Sequence, residues 1–437
     1  MKLKLGKLRN GWDMKLAHKK LLMIVITALG WVGLGEVGLP VAHAADEQDV
    51  SKIKWSANAG LGYDGNAYRT HSGIYVDHSI ARNGFPAINA PTIVPVIQSG
   101  FFVPFDLRGK YLSNRGVGVS LAARANADGR FYLEPSLTNA NRHKLIGGIG
   151  INNLLTRKGR REESIYAGAI VGRVKNFFYD RDTGQAWMIG RGADKDISMR
   201  ESYRVLGLEG RYKNEMGDIR YGVQGKLEDR THDDPVVSDN FSNTYIRFGG
   251  HAEAKVIADS SLKLTYQYSF RDFKERNSRD LTGRRRNANG ILQWSDNSYR
   301  ASLRNKLGTN IIVYLDYGLT MRADNFQGYD DFTEHKFGIR LDYELGDVWR
   351  TRIAMAKVDV NYDNALAFNT ICNVTCPSAI GQPRLTESRI DANIRTEYKL
   401  NKQQSVWVAV DYSSVDTNDL RYDYSRNQFM VGGKRAF

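Results

Sequence analysis

Past residue 45 the chain has no apolar run approaching the ~20 residues that a membrane-spanning helix needs. Apolar stripes at the helical period of about 3.6 are scarce too, so a helical fold is not expected. Only two cysteines occur in 437 residues, Cys372 and Cys376 in ICNVTCP. A metal site on that pair needs further ligands, and the neighbouring sequence offers none, so no metal is expected. In an oxidising compartment the pair is expected to form a disulfide that pinches a small loop. Histidine beyond the first 44 residues is limited to His71, His78, His143, His232, His251 and His335. No H-E-x-x-H, G-x-S-x-G or phosphate-binding loop surrounds any of them. The sequence therefore points away from an enzyme, and no cofactor is expected.

The front of the chain is of a different kind. Lys19-Lys20 precede the apolar run LLMIVITALGWVGLG, and Ala42-His43-Ala44 is followed by the charged ADEQD. A basic segment, an apolar segment and an A-x-A site in that order read as a secretory signal peptide over residues 1–44, leaving 45–437 as the mature protein. A membrane anchor is the other reading, but the run is short and broken by glycines and Glu36. Met14 is a candidate alternative start, since MKLAHKK is itself a good basic segment. Part of the net charge of +14 belongs to this leader. The basic balance is therefore no argument for nucleic acid, and no nucleic-acid partner is expected.

What the rest of the chain has is period two. LKLTYQYSF alternates Leu262, Leu264, Tyr266, Tyr268 and Phe270 with Lys263, Thr265, Gln267 and Ser269. Similar alternation runs through 53–63, 101–107, 117–123, 219–227, 246–256, 311–319, 337–343, 389–400 and 406–412, with a last strand over 428–437. The connections alternate as well. LSNRG (112–116), KNEMGD (213–218), IADS (257–260), LGTN (307–310), ELGD (344–347) and NKQQ (401–404) are tight. The intervals 64–99, 127–141, 177–200, 229–242, 273–284, 323–334, 361–387 and 415–426 are long. Short turns on one side and long loops on the other predict an all-β fold, a transmembrane antiparallel β-barrel with periplasmic turns and extracellular loops. If 286–306 is one strand kinked near Ser295-Asp296-Asn297, the count is even, at about 16, with 14 to 18 compatible with the length. A soluble sandwich uses fewer strands and would require two domains and a linker, which the composition does not mark.

Trp55, Tyr63, Trp294, Tyr343, Trp349 and Tyr398 fall near strand ends, where aromatic girdles are expected. The terminal FMVGGKRAF resembles the C-terminal signature of bacterial outer-membrane barrels. That resemblance implies that Phe437, with Val431 and Phe429, is read by the barrel assembly machinery. Arg435 departs from the pattern, but at a membrane rim it can snorkel to the headgroups. GYDGNAY at 62–68 resembles the Y-D-x-N element of the β-barrel porin type 2 family, carried by Tyr63, Asp64, Asn66 and Tyr68, with a second NYDN at 361–364. The resemblance implies an outer-membrane barrel, in some members near capsule or exopolysaccharide genes. The residues themselves also read as a plain turn.

With the apolar faces turned to lipid, the polar faces line a lumen. Candidate pore-lining cations are Arg108, Arg124, Arg220, Arg247, Lys263, Arg271, Lys336, Arg340, Arg389 and Arg395. They are opposed by Asp106, Glu228, Glu253, Asp316, Asp342, Asp391 and Glu397. These groups could simply brace the wall by ion pairing, or an excess of cations could concentrate anions in the pore. The expected function is a porin-like channel for polar, anionic solutes in the bacterial outer membrane. An exit channel for exopolysaccharide, working with export components, and a structural barrel that scaffolds a partner protein are the alternatives. Expected partners are outer-membrane lipid and lipopolysaccharide, the latter through Arg284-Arg285-Arg286. No plug domain is expected, since little sequence precedes the first strand.

Overall fold

The computed structural model describes residues 52–76, 92–113, 116–158, 161–181, 183–185, 188–189, 195–233, 240–257, 259–367 and 383–437. The expected leader at 1–44 and the pair Cys372 and Cys376 lie outside these residues. Sixteen strands form one closed antiparallel barrel. They are β1 (Lys52–Asp64), β2 (Gly100–Leu112), β3 (Gly118–Tyr132), β4 (Arg142–Lys158), β5 (Arg161–Asn176), β6 (Tyr203–Met216), β7 (Ile219–His232) and β8 (Asn243–Ile257). The second half comprises β9 (Ser260–Asn277), β10 (Ile291–Leu307), β11 (Ile311–Asp324), β12 (Phe332–Leu345), β13 (Trp349–Leu366), β14 (Arg384–Lys399), β15 (Gln404–Thr417) and β16 (Tyr424–Ala436). Each strand pairs with its neighbours in sequence, and β1 closes on β16 through Tyr63↔Phe429, Ala59↔Gly433 and Ser56↔Ala436. Closure leaves no edge, which is the condition for placing a sheet in lipid.

The connections at 113–117, 159–160, 217–218, 258–259, 308–310, 346–348 and 400–403 are short. Those at 65–99, 133–141, 177–202, 233–242, 278–290, 325–331, 367–383 and 418–423 are long. All short turns fall at one end of the barrel, the periplasmic end of such folds. The strand containing Ser295-Asp296-Asn297 pairs with β11 without a break from Trp294↔Asp324 to Leu307↔Ile311, so the expected kink there is absent. The strand over Arg142–Lys158 and its short connection to β5 were not distinguished in the sequence. On the long-loop side, strands run further than the alternation suggested. β3 continues to Tyr132 and β7 to His232, and β16 begins at Tyr424.

Leu262, Leu264 and Tyr266 pair across β8 and β10 with Ala254, Ala252, Gly250, Leu303, Ala301 and Tyr299. Leu315, Ile339 and Met355 form a similar row across β11, β12 and β13. Leu264, Tyr266, Tyr299, Leu303, Leu315, Ile339 and Met355 are exposed, as are Val119, Leu121, Leu206, Leu208, Phe429 and Val431. In water such a continuous apolar belt would be an aggregation site, and in a bilayer it is the lipid-facing band. Trp55, Tyr63, Tyr343 and Trp349 share that outer face. Trp294 does not. It is the cross-strand partner of Arg271 and lies under the Arg322 guanidinium, so the girdle expectation fails for it. β10 puts polar Ser295 and Asn297 on the outer face, which obscured the phase of the alternation.

Two glycine positions fix local geometry. Gly432 faces Gly60 across the seam, and a Cβ there would collide with Ala59 O and the Trp407 indole. The room it leaves lets Trp407 Nε1 donate to Asn58 Oδ1 at 2.7 Å. Gly346 sits in the 346–348 turn with φ of 60°, where nothing else surrounds it. Gly346→Ala is therefore expected to cost on the order of 1 kcal/mol, from backbone strain alone. Gly346→Asn should cost less. Urea midpoints of the folded barrel in lipid vesicles will show the difference.

Candidate functional site: the barrel lumen

The inner wall is a dense polar lattice. Arg124 Nη2 on β3 donates to Glu209 Oε2 on β6 at 2.6 Å, spanning two intervening strands. Arg300 on β10 donates to Asp316 on β11 at 2.8 Å. Arg322 Nε donates to Asp296 Oδ1 at 2.7 Å. Asp342 takes three arginines, with Arg352 at 2.8 Å, Arg350 at 3.3 Å and Arg340 at 3.6 Å.

Around Asp342, Asp316 and Glu209 the two signs do not sit at the same depth, whereas Arg322 and Asp296 are equally exposed and Asp391 is more exposed than Arg389. Asp342 is 3% exposed, while Arg340, Arg350 and Arg352 around it are 35%, 44% and 41% exposed. Asp316 is 20% exposed against 61% for Arg300, and Glu209 14% against 40% for Arg124. The short carboxylates lie against the wall, and the long guanidinium stems reach over them into the lumen. At these three acids the surface that a solute meets is therefore more positive than the count of charges implies.

A cavity of about 860 Å³ lies inside the barrel against β2–β4 and β10–β16. Arg69, Arg130, Arg142, Arg300, Lys336, Arg340 and Arg426 line it, opposed by Asp106, Asp128, Asp316, Asp391 and Asp411.

The ten candidate cations all lie at inward-facing strand positions. Five are ion-paired, namely Arg108 with Asp106, Arg124 with Glu209, Arg220 with Glu215, Arg340 with Asp342 and Arg389 with Asp391. Arg247, Lys263, Arg271, Lys336 and Arg395 have no carboxylate within ion-pair distance among the described residues. Arg395 stacks over the Trp407 ring at 4.2 Å instead. Of the opposing acids, Glu228 is held by Lys226 and Arg230, Glu253 accepts from Ser261, and Glu397 accepts from Ser405. Arg69, Arg130, Arg142, Arg300 and Arg426 line the cavity but were missed. Arg69, Arg130 and Arg426 fall in stretches read as loops, Arg142 in a strand that was not distinguished, and Arg300 in a strand whose phase was unclear. Within the arginine run, Arg285 donates to Asn277 O and Arg286 faces Asp280 at 3.5 Å.

At the outer end the wall is closed by a buried clasp built on Y-D-x-N. Asp64 is fully buried, and its carboxylate accepts from Arg426 Nε at 3.0 and 3.1 Å, from Gln428 Nε2 at 2.9 Å and from the Tyr132 hydroxyl. Asn66 donates to Thr70 O at 2.8 Å and Ser425 O at 3.0 Å. Residues 66–71 thus bend against the inner faces of β2, β3 and β16, where Tyr68 packs with Phe102, Tyr132 and Leu137. Burial pushes the Tyr68 hydroxyl up to about 12. In the 177–202 loop, burial raises Glu201 above the usual carboxylate range, against the pull of Arg181 and the Asn176 hydrogen bond. The second NYDN is different. Tyr362 faces Phe332 on β12, and Asn364 donates to Gln327 O and Gly328 O in the neighbouring loop.

No protein-family model and no characterised protein sequence matches the chain. Among solved structures, the outer membrane channel DcaP of Acinetobacter baumannii is similar over 90% of this chain and 99% of its own, at 9% identity and a TM-score of 0.45. An anion-selective porin from Comamonas acidovorans is similar over 89% and 100%, at 12% identity and a TM-score of 0.42. A bacterial polysaccharide outer membrane secretin is similar over 90% and 99%, at 9% identity and a TM-score of 0.43. Likenesses this distant say nothing about what this chain carries.

Proposed function

We propose that the chain is an outer-membrane channel that passes small polar solutes and favours anions, with no enzymatic role. The observation that carries this reading is the depth difference around Glu209, Asp316 and Asp342, where arginines stand in front of the acids that neutralise them. A mobile anion meets guanidinium N–H groups first, and a mobile cation meets them as a barrier. Residues 1–44 would serve as the export signal, Phe437 as a mark for the assembly machinery, and Cys372–Cys376 as a loop disulfide. Lipid and lipopolysaccharide would surround the outer face.

A second reading, an exit channel for exopolysaccharide, rests on the likeness of Tyr63, Asp64 and Asn66 to the β-barrel porin type 2 family. Deleting the gene would then trap polymer inside the cell, and unchanged export removes that reading. The channel reading is tested in planar bilayers. Stepwise conductance is expected, with a reversal potential in a KCl gradient on the chloride side. Arg300→Gln with Arg352→Gln should move it toward zero. A silent barrel, or one preferring potassium, contradicts it.

A further inference from the structure

At the outer end of the lumen, arginines and aromatic rings alternate across neighbouring strands. Tyr245 on β8, Arg271 on β9 and Trp294 on β10 are direct cross-strand partners. The Arg271 guanidinium lies 5.6 Å from the Tyr245 ring centre and 5.5 Å from that of Trp294. On one side Arg230 stacks on Tyr245 at 4.0 Å, and on the other Arg322 stacks on Trp294 at 4.4 Å. The two outer arginines are neutralised, Arg230 by Glu228 and Arg322 by Asp296. Arg271 is not, since no carboxylate lies within ion-pair distance of it among the described residues. The arc therefore presents one planar, fivefold donor with no acid, set between two ring faces on a wall already rich in cations.

We propose that this arc is a binding station for small anions that carry a carboxylate on a ring. The carboxylate would take the forked N–H pair of Arg271, and the ring would lie along Trp294 or Tyr245. The proposal rests on the channel reading for its passage role but not for binding. Arg271 is the specificity-determining residue, because a lysine there keeps the charge and loses the planar fork. The ring carboxylates fall into two kinds, aromatic acids such as benzoate and sugar acids such as glucuronate. Acetate supplies the carboxylate without the ring.

The experiment measures block of chloride current by benzoate, glucuronate and acetate in wild type, Arg271→Lys and Trp294→Leu. One or both ring acids should block the wild type at concentrations about tenfold or more below acetate. Arg271→Lys should remove that difference. Trp294→Leu should weaken the ring acid that stacks there. Saturation-transfer NMR on the detergent-solubilised barrel reads the same contacts without conductance. A barrel that binds ring acids but passes no current overturns the channel reading alone. Equal block by acetate and ring acids, or ring-acid contact unchanged in Arg271→Lys, overturns the station.

Discussion

Asp64→Ala is expected to destabilise the folded barrel by about 3–5 kcal/mol, the cost of leaving a buried charge without its partner. Asp64 is the hub at which the first strand, the last strand and the first loop meet. Its carboxylate accepts from Arg426 and Gln428 on β16, from Tyr132 on β3 and from the Asn66 amide at 3.1 Å. Removing it leaves Arg426, only 6% exposed, facing Arg130 with nothing to compensate it. The seam is where this matters most, because β1 and β16 lie at opposite ends of the sequence and their pairing closes the barrel. Heat-modifiable gel migration should shift to a lower temperature, and the urea midpoint in vesicles should fall. The double variant Asp64→Ala/Arg426→Ala should lose less than the two single changes summed. A single variant within about 0.5 kcal/mol of wild type would mean that the clasp is not structural.

Ile339→Lys should cost about 2–4 kcal/mol, the depth-dependent penalty for a cation on the lipid face near mid-membrane. Ile339 sits between Leu315 and Met355 on the outer face. The next residue, Arg340, faces the lumen and stacks over Tyr314 at 3.6 Å. A lysine one step along the strand is thus in water, and at Ile339 it is in hydrocarbon. Gln267→Lys, on the inner face opposite Ser298, is the control and should be tolerated. Equal loss in both variants, read as urea midpoints in vesicles, would show that the two faces are not solvated differently.

The band between the two interfaces was legible in the sequence because lipid and water impose opposite demands on alternate residues there. The alternation in 262–270 and 337–343 follows directly. Beyond the outer interface both faces meet water, the alternation fades, and Arg130 and Arg426 were read as loop residues although they stand on strands. β4 was hidden because GGIGINN offers little contrast between faces, and its end and the start of β5 share the charged run RKGRRE. The charged faces of the strands were legible, since parity fixes which residues alternate with the apolar ones. The depth of the cations relative to the acids was not, because it depends on side-chain length against a curved wall. The Asp64–Arg426 pair joins residues 362 positions apart, and only closure of the barrel brings them together.

The central claim is that this sheet is inside out relative to a soluble protein, with its apolar face in lipid and its polar face in water. Single cysteines at 264, 265, 266 and 267, with Cys372 and Cys376 replaced by serine, test it most directly. In outer-membrane vesicles or liposomes, a small charged thiol reagent should modify the cysteines at 265 and 267 and spare those at 264 and 266. Modification at 264 and 266, with protection at 265 and 267, would contradict the account and return this strand to a soluble fold.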